Sequence, residues 1–290
     1  MDDRKTITRK NIGITSNVIT DRLGLDGYRL IKKAGFDTID FNMQRGFFSI
    51  ENNAFEHSFI NRIYEHKREI ENCGLVISQT HAPYYTLEKY MNNYMELDKY
   101  FYVVEQSLLA TICLGCKRFI IHPLHKYKWM RESEFELTQR MISRLYNIAH
   151  KEKIHICIEN LPYDFCGDYS SHKEFLEILE DYEVKACFDA GHSKICNEKP
   201  LLHLKKMREL IYAVHIHDND GIRDLHYRLD EKEYYWQLMI NEMVTNKNIV
   251  SISLETSGIY KKCDTEKIYS ELVLDFESVN SYMCKTKKVE

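Results

Sequence analysis

Carboxylate and imidazole side chains stand at the ends of six successive apolar runs of this 290-residue sequence. Such side chains bind divalent metal ions and can also transfer protons. One histidine after an apolar run has little meaning, but six such runs in succession indicate a single polynuclear metal site built from distant parts of the chain. The runs are ISQTHAP (His81), RFIIHP (His122), ICIENLP (Glu159), KACFDAGH (Asp189 and His192), VHIHDND (His215 and His217) and SISLET (Glu255), and a further pair, Asp224 and His226, follows in GIRDLH.

The apolar runs alternate with longer amphipathic stretches, a pattern typical of βαβ units with parallel strands. The predicted strands cover residues 11–16, 36–42, 75–81, 118–123, 155–160, 184–190, 213–218 and 250–256, and the predicted helices cover 21–34, 56–73, 91–115, 133–152, 171–181, 201–210, 231–246 and 265–283. Eight such units predict an α/β fold, a (β/α)8 TIM barrel. We expect a single domain over about residues 11–283 with short tails at both ends, since such a barrel needs about 250 residues.

A barrel of this type explains why the polar residues cluster, because its active site forms at the C-terminal ends of the strands. Side chains alternate between the two faces of a strand, so Cys157 and Glu159 are both expected to face the barrel interior. His215 and His217 share a face in the same way. We expect His217, nearer the open mouth, to be the ligand of this pair, and His215 either to orient another ligand or to pack in the core.

Composition excludes some classes of protein. Lys plus Arg is 40 and Asp plus Glu is 44, a net charge of −4, which excludes a strongly basic nucleic-acid-binding surface but not a local basic patch. No apolar run approaches the ~20 residues of a membrane span. Nine cysteines without a disulfide pattern are typical of reduced thiols, and the CxxC of Cys113 and Cys116 is interpreted as packing. These features predict a cytoplasmic protein with no membrane partner, and nucleic acid is not favoured as a partner.

The order and spacing of the strand-end motifs resemble those of the xylose-isomerase-like TIM-barrel superfamily, which includes endonuclease IV, inosose dehydratase, hydroxypyruvate isomerase and the ketose 3-epimerases. The resemblance covers roughly residues 11 to 280. It depends on HAPY at 81–84, HP at 122–123, EN at 159–160, DAGH at 189–192, HIHDNDG at 215–221, DLH at 224–226 and ET at 255–256.

Two ligand sets are implied by this resemblance. The set shared by the epimerases and isomerases holds one divalent ion, and its two glutamates also act as acid and base. It corresponds here to Glu159, Asp189, His217 and Glu255, with His192 and Arg223 as substrate contacts. The set of endonuclease IV holds three zinc ions, and it corresponds to His81, His122, Glu159, Asp189, His192, His217, Asp224, His226 and Glu255.

The chain also departs from its relatives. After the D-x-H motif they commonly carry a Gly-rich turn, whereas this chain reads YRLDEKEYYW, and the gap between His217 and Asp224 is shorter than in endonuclease IV. Asp224 and His226 are therefore either metal ligands or an ordered loop turn. Arg223 is either a substrate contact or a solvated charge.

The resemblance implies a metal-dependent isomerase or epimerase acting on a small carbohydrate or polyol, our first hypothesis. The alternatives are a zinc-dependent phosphodiesterase resembling endonuclease IV, a lyase or dehydratase on a keto-sugar or inosose, and a binding protein without catalysis. Mn²⁺ is the expected ion, with Zn²⁺, Mg²⁺ and Co²⁺ as alternatives. Homo-oligomers are common in the superfamily and possible here. Tyr84 and Tyr85 could stack on a sugar, and His125, His172 and His203 are predicted to be solvated.

Overall fold

The computed structural model describes residues 10–43, 48–49, 54–55, 59–84, 94–124, 132–162, 168–196, 199–230 and 234–286. Tyr85, His125 and both chain ends, positions 1–9 and 287–290, lie outside the described residues, so the predictions made for them stay predictions.

Eight parallel strands close into a barrel, which confirms the predicted fold. The first strand pairs with both the second and the last, so the described sheet has no open edge at that point. Two further strands of two residues each, β3 and β4, pair antiparallel in a sheet separate from the barrel. The strands are β1 (Asn11–Thr15), β2 (Thr38–Asn42), β3 (Phe48–Ser49), β4 (Ala54–Phe55), β5 (Val76–His81), β6 (Arg118–Ile121), β7 (His155–Glu159), β8 (Lys185–Asp189), β9 (Ile211–Ile216) and β10 (Ser251–Leu254).

Helices connect the barrel strands as predicted, with differences at their ends. The first predicted helix is two helices, because Gly24 at φ 59° ends the first one. Gly35, Gly74 and Gly115 all have positive φ where helices end, a conformation that glycine adopts readily. The helices are α1 (Asn17–Leu23), α2 (Asp26–Ala34), α3 (Phe59–Asn72), α4 (Tyr94–Leu114), α5 (Glu134–Glu152), α6 (Tyr169–Ile178), α7 (Ala190–Ile195), α8 (Pro200–Lys206), α9 (Tyr234–Thr245), α10 (Ser257–Tyr260) and α11 (Ile268–Thr286).

A short helix takes the last position of the strand predicted over residues 184–190. The helix α7 begins directly after Asp189, whose carboxylate accepts a hydrogen bond from the backbone N–H of His192 at 2.7 Å. This is an N-cap interaction, which satisfies one of the unpaired N–H groups of the first turn. Strand and helix thus meet at one residue, and Asp189 and His192 are brought to the same end of the barrel.

The apolar core lies mainly between the barrel and the surrounding helices, whereas the barrel interior holds a small separate cluster. That inner cluster consists of Ile120, Cys157, Cys187 and Ala213, with Tyr212 packed against it. All eight cysteines in the described part of the chain are free thiols. The inner cluster fills the barrel interior below the C-terminal strand ends, so the candidate ligand side chains lie next to a layer of apolar side chains.

Two histidines that we predicted to be solvated are fully buried, so that prediction was wrong. His172 on α6 and His203 on α8 are each 0% exposed. Ser193 Oγ lies 3.1 Å from His203 Nδ1, His203 Nε2 lies 3.2 Å from His172 Nδ1, and His172 Nε2 lies 3.1 Å from the Ile158 carbonyl. Since a carbonyl can only accept, the chain of donors runs from Ser193 through both rings to Ile158. This relay ties α6, α7 and α8 to β7.

The relay predicts an acid-sensitive contribution to stability. Burial lowers the pKa of His172 to about 4 and that of His203 to about 2. An unfolded histidine takes up a proton near pH 6.5, whereas these buried rings stay neutral. Below that pH the free energy of unfolding therefore falls by about 1.4 kcal/mol per pH unit for each buried ring. We expect His203→Gln, which keeps one acceptor and one donor, to flatten the fall in urea midpoint between pH 6.5 and 5.

The matched control for this prediction is His150→Gln, which removes a histidine whose side chain is 62% exposed. It should leave the pH dependence of the urea midpoint unchanged. Equal pH dependence in wild type and His203→Gln would contradict a contribution from the buried relay.

Candidate metal centre

Ligand atoms converge at the C-terminal ends of six barrel strands and in the segment that follows β9. They form three groups of imidazoles and carboxylates, and within each group one ligand atom per residue lies within 4.8 Å of all the others; a fourth combination, Glu159, Cys187 and His215, meets the same distance and includes a thiol. The groups are His81, His122 and Glu159 (group one), Glu159, Asp189, His215 and Glu255 (group two), and His192, His217, Asp224 and His226 (group three). Glu159 belongs to two of them, so groups one and two are joined through a single carboxylate.

Group one forms where β5, β6 and β7 end. The Nε2 atoms of His81 and His122 lie 3.0 and 3.3 Å from the same Glu159 oxygen, Oε2. The other Glu159 oxygen, Oε1, lies 3.1 Å from His215 Nδ1 in group two. The two oxygens of one carboxylate thus face two different groups, so Glu159 could contribute one ligand atom to each.

Group two forms where β7, β8, β9 and β10 end. His215 Nδ1 lies 3.3 Å from Glu255 Oε2 and 3.9 Å from Asp189 Oδ2. Asp189 and His215 are register partners on β8 and β9, so the pairing of the strands sets them at the same height. Glu255 follows β10 directly, and its side chain is 15% exposed. Of the carboxylates in group two, Glu255 is therefore the one most accessible from solvent.

Group three lies beside group two. His217 Nε2 is 3.2 Å from Asp189 Oδ1 and 3.6 Å from Asp224 Oδ1, and the second oxygen of Asp224 is 2.9 Å from His226 Nε2 and 3.4 Å from His192 Nε2. The imidazoles of His217 and His226 stack with ring centroids 4.2 Å apart. Asp224 and His226 therefore reach the site, which was an open question in the sequence.

The segment that carries Asp224 and His226 is held at both sides. Asp218 and Tyr227 exchange two backbone hydrogen bonds of 2.8 Å and close it into a loop. His226 adopts φ 50°, a region that non-glycine residues seldom occupy, and its strain is consistent with a functional constraint. Beyond the loop, Arg228 donates to Asp275 and Glu271 on α11 at 2.6 and 2.7 Å.

Two glycines allow the close approaches at this site. A Cβ atom at Gly191 would lie 2.1 Å from the His217 ring. A Cβ atom at Gly258 would lie 2.1 Å from the carbonyl oxygen of Leu225. Both distances are far below van der Waals contact, so the ring and the loop can occupy these positions only beside glycine.

Most of the histidines have one ring nitrogen fixed outside the site. The Nδ1 atoms of His81, His192 and His226 lie 2.7, 2.9 and 2.7 Å from the backbone carbonyls of Ala82, Asn160 and Glu255, respectively, and can only donate to them. Their Nε2 atoms then face the carboxylates of the site. Metal-binding histidines are usually oriented in this way, by an acceptor on the far side of the ring.

The charges of the site depend on one another. Burial opposes ionisation of Glu159, but His215, His122 and His81 hold its pKa well below the ordinary value. Burial likewise opposes protonation of His192, whereas Asp189 and Asp224 raise its pKa well above the ordinary value. Burial is also outweighed at His226, where Glu255 and Asp224 raise the pKa to about 9.

His215 has its pKa held well above the ordinary value although burial opposes this, through Cys187, Glu159 and Glu255. Burial raises the pKa of the Cys187 thiol well above its own ordinary value. That thiol is therefore neutral at physiological pH, and the two carboxylates supply the negative charge that holds a proton on His215.

The residues fit a divalent metal centre. Asp189 Oδ2 and His217 Nε2 are buried side-chain atoms without a hydrogen-bond partner among the described residues. Buried polar atoms are rarely left unpaired, and both of these point into the ligand groups. Imidazole nitrogen with carboxylate oxygen is a donor set that suits zinc, manganese and cobalt. Bound ions would satisfy the unpaired atoms and neutralise the clustered carboxylates.

His215 and His217 have different surroundings. His215, predicted to orient another ligand or to pack in the core, has both ring nitrogens within hydrogen-bond distance of carboxylates, Glu159 at 3.1 Å and Asp40 at 2.7 Å. His217, predicted as the ligand of the pair, has its Nε2 atom 3.2 Å from Asp189 Oδ1. Arg223, the predicted substrate contact, is 70% exposed and pairs with Asp220 at 2.8 Å. Tyr84 stacks on the His122 ring with centroids 4.7 Å apart, at the edge of group one.

Two residues that contact the candidate site were not singled out in the sequence. Asp40 on β2 is 0% exposed and lies 2.7 Å from His215 through its Oδ2 atom. Asn160 accepts from the backbone N–H of Asp189 at 2.8 Å and donates to its carbonyl at 3.0 Å, which fixes β8 beside β7. A signal for Asp40 was present, because FDTIDFN places a carboxylate inside an otherwise apolar strand.

Comparison with known proteins agrees with this architecture. A model of the family described as xylose isomerase-like TIM barrel matches residues 28–273. The chain belongs to the xylose isomerase-like TIM-barrel family. The fold and the strand-end position of the ligand groups in this family member are those that the sequence motifs predicted.

Similar proteins include two relatives by sequence and many by structure. The uncharacterized protein MJ1614 of Methanocaldococcus jannaschii is 31% identical over 158 residues, which span 54% of this chain and 61% of that protein. A D-tagatose 3-epimerase-like protein matches with TM-score 0.69 at 19% identity, over 93% of this chain and 98% of that chain. An L-ribulose 3-epimerase matches with TM-score 0.70 at 13% identity, over 96% of each. At these identities the structural likeness extends to the fold alone.

Of the described helices, none combines the length and the apolar character needed to cross a membrane.

Proposed function

We propose that this family member is a divalent-metal-dependent hydrolase of small phosphate esters, with a centre that holds more than one ion. The observation that carries the proposal is Glu159, whose two oxygens face two different ligand groups. A one-ion isomerase requires only a group such as group two. The chain supplies two further groups, each with three or four ligand atoms within 4.8 Å of one another.

The environment of Glu159 also argues against its role as a proton-transfer base. The residue is 1% exposed, and three histidines surround its carboxylate. Its pKa lies well below the ordinary value because these histidines favour the charged form over the effect of burial. Both oxygens of Glu159 are thus engaged by histidines, whereas Glu255, at 15% exposed, is the glutamate that a substrate can reach.

The roles of the chain's own residues follow from their positions. Ions held in these groups would act as Lewis acids toward a phosphoryl group and the attacking water. Glu159 and Asp189 fix the centre from below, since both are buried. Glu255 and Asp224 are 15% and 29% exposed, so they face the mouth, where they can orient a water molecule. Tyr84 at the edge offers its ring to the organic part of a substrate.

A small ester is favoured over nucleic acid. The chain carries a net charge of −4, and tight binding of a nucleic acid backbone is driven by clustered Lys and Arg. The exposed cation nearest to the site in sequence, Arg223, is paired with Asp220. A sugar phosphate combines the phosphoryl group that the centre suits with the small carbohydrate expected from the sequence.

The second candidate is the metal-dependent isomerase or epimerase, or a lyase on a related keto-sugar. It is favoured by group two, in which Glu159, Asp189, His215 and Glu255 surround one point. It is also favoured by the fold that this chain shares with a D-tagatose 3-epimerase-like protein and an L-ribulose 3-epimerase. In that case Glu255, the more exposed glutamate, would transfer the proton.

One experiment separates the two candidates. Protein loaded with Zn²⁺ or Mn²⁺ would be assayed on bis(p-nitrophenyl) phosphate, a panel of sugar phosphates, an abasic-site oligonucleotide and a panel of ketoses. The test variant is His122→Gln, which removes a ligand of group one alone, and the control is His150→Gln at the opposite side of the molecule.

We expect hydrolysis of phosphate esters by wild type and by His150→Gln, and its loss in His122→Gln. Ketose conversion that survives His122→Gln, without ester hydrolysis, would replace the hydrolase by the isomerase. Cleavage confined to the oligonucleotide would keep the hydrolase but overturn its small substrate.

A further inference from the structure

Asp275 on α11 is a buried carboxylate that none of the roles above uses. It is 0% exposed. Its Oδ1 atom lies 2.6 Å from Arg228 Nε, whereas Oδ2 accepts from Thr256 Oγ1 and, at 2.5 Å, from Tyr260 Oη. A buried carboxylate is costly unless it is paired, and these three donors supply its partners. One carboxylate thus joins the segment after β9, where Arg228 lies, to the segment after β10.

Those two segments carry ligands of the metal centre and contact each other. His226 lies two residues before Arg228, and its Nδ1 atom donates to the Glu255 carbonyl at 2.7 Å. The Leu225 carbonyl oxygen occupies space that a Cβ atom at Gly258 would need, since the two would lie 2.1 Å apart. The segment after β9 is therefore packed on the residues that follow β10.

The segment after β9 has little apolar burial of its own. Within residues 220–228 no residue is buried, and the first buried residue after them is Leu229. Ile222 is 70% exposed although it is apolar. A stretch with few buried apolar contacts can open locally at low free energy unless polar contacts hold it. The ion pair of Arg228 with the buried Asp275 is therefore expected to fix its position.

We propose that Asp275 is a positioning residue for the ion of group three, because it holds the segment that supplies Asp224 and His226. The inference rests on the metal centre proposed above. Asp275 would not touch the ion and would act through Arg228. A segment that is ordered before it binds loses less conformational entropy on binding. Without Asp275 that cost would fall on the binding step, and the group-three ion alone would be bound more weakly.

A purely structural role for Asp275 predicts a different result. Thr256 and Tyr260 also donate to it, so loss of the carboxylate lowers stability in either case. A structural residue would leave the metal affinity unchanged. A positioning residue would lower the affinity for one ion and would also loosen the segment after β9 in metal-free protein.

The test compares Asp275→Asn and Arg228→Gln with Tyr260→Phe, a control that removes a donor to Asp275 without removing a contact of Arg228. Zinc dissociation constants would be measured by competition with a chelator. Amide hydrogen exchange of residues 219–230 would be recorded on metal-free protein. The thermal midpoint of each metal-free variant shows whether it is folded.

We expect Asp275→Asn to weaken one zinc site by about tenfold, the lower end of the range for partners that orient a ligand, since Asp275 acts through Arg228. The amides of residues 219–230 should exchange faster. Arg228→Gln should have the same effects, and it decides the matter if Asp275→Asn does not fold. The double variant should lose no more affinity than the more affected single variant, because the two residues act as one pair. Tyr260→Phe should be less stable but should bind zinc as the wild type does.

The ion that is affected is identified in the His226→Gln background, which lacks a ligand of group three. There Asp275→Asn should cause no further loss of zinc affinity. A further loss would place the effect at another ion and would overturn the proposed role.

Wild-type zinc affinity in folded Asp275→Asn and Arg228→Gln, or an equal loss in Tyr260→Phe, would overturn the role of Asp275 and leave the metal centre intact. A wild-type protein that binds no zinc, manganese or cobalt would overturn the proposed function, and the inference with it. The wild-type titration alone distinguishes these two failures.

Discussion

Glu159→Gln is expected to abolish metal-dependent activity while the barrel remains folded. The substitution keeps the shape of the side chain but removes the charge that faces group one through Oε2 and group two through Oε1. Residues that only orient a ligand cost about 10–100-fold in metal affinity or activity. A bridging carboxylate acts on two ions at once, so we expect a loss of more than ~100-fold in kcat/KM.

The matched control for this substitution is Glu177→Gln, which changes a surface glutamate whose side chain is 58% exposed. It should leave kcat/KM within twofold of wild type, as surface substitutions usually do. Far-UV circular dichroism would show that both variants are folded. Activity of Glu159→Gln within tenfold of wild type would mean that the bridging carboxylate is not part of the catalytic centre.

Removal of the metal ions is expected to destabilise the protein and inactivate it. An ion that binds only the folded chain stabilises it by about 2.7 kcal/mol when present at 100 times its dissociation constant. Removal also leaves Glu159, Asp189, Asp224 and Glu255 close together with only the histidines to balance them. We expect dialysis against a chelator to lower the thermal midpoint by roughly 5–10 °C for each tight ion lost, and added Zn²⁺ or Mn²⁺ to restore it.

The apparent metal affinity should also depend on pH with a defined sign. In the metal-free protein the pKa of His226 is raised to about 9, and those of His192 and His215 are held well above the ordinary value. A histidine must lose its proton to bind an ion, so affinity falls as pH decreases below about 9, by up to tenfold per pH unit for each proton released. Affinity independent of pH between 6 and 8.5 would contradict ligation by these rings.

The fold could be predicted from the sequence because it depends on a local pattern. Apolar runs at regular intervals require parallel strands, and the number of runs fixes the closed barrel. The predicted strands agree with the observed ones within two residues at their beginnings. Their ends also agree within two residues, and the strand predicted over 184–190 ends one residue early because α7 starts directly after Asp189. The side-chain cap that Asp189 gives this helix is a contact that an apolar pattern does not contain.

The members of the centre were also predictable, whereas their grouping was not. All nine residues of the larger implied set lie in the three groups. The choice between His215 and His217 depends on register, because both face the same side of β9. Asp189 lies beside both rings, as the register partner of His215 and with its Oδ1 atom 3.2 Å from His217 Nε2. Register between strands that are distant in sequence is set by the packing of the whole barrel.

Buried polar residues outside the strand ends were the least predictable. His172 and His203 lie on helices and gave no sequence signal, since each is buried by a partner on another helix. Asp40 lies in the middle of a strand, and its partner His215 is 175 positions away. Only the closed barrel brings such pairs together, so their burial follows from tertiary structure.

The most direct test of the account is the number of metal ions per chain, measured by elemental analysis on protein purified without chelator or affinity tag. His122→Gln and His226→Gln, one ligand each from groups one and three, would be measured beside the wild type. We predict two or three ions per wild-type chain and one fewer in each variant. A single ion per chain that both variants retain would contradict a centre bridged by Glu159. The one-ion isomerase would then be favoured over the hydrolase.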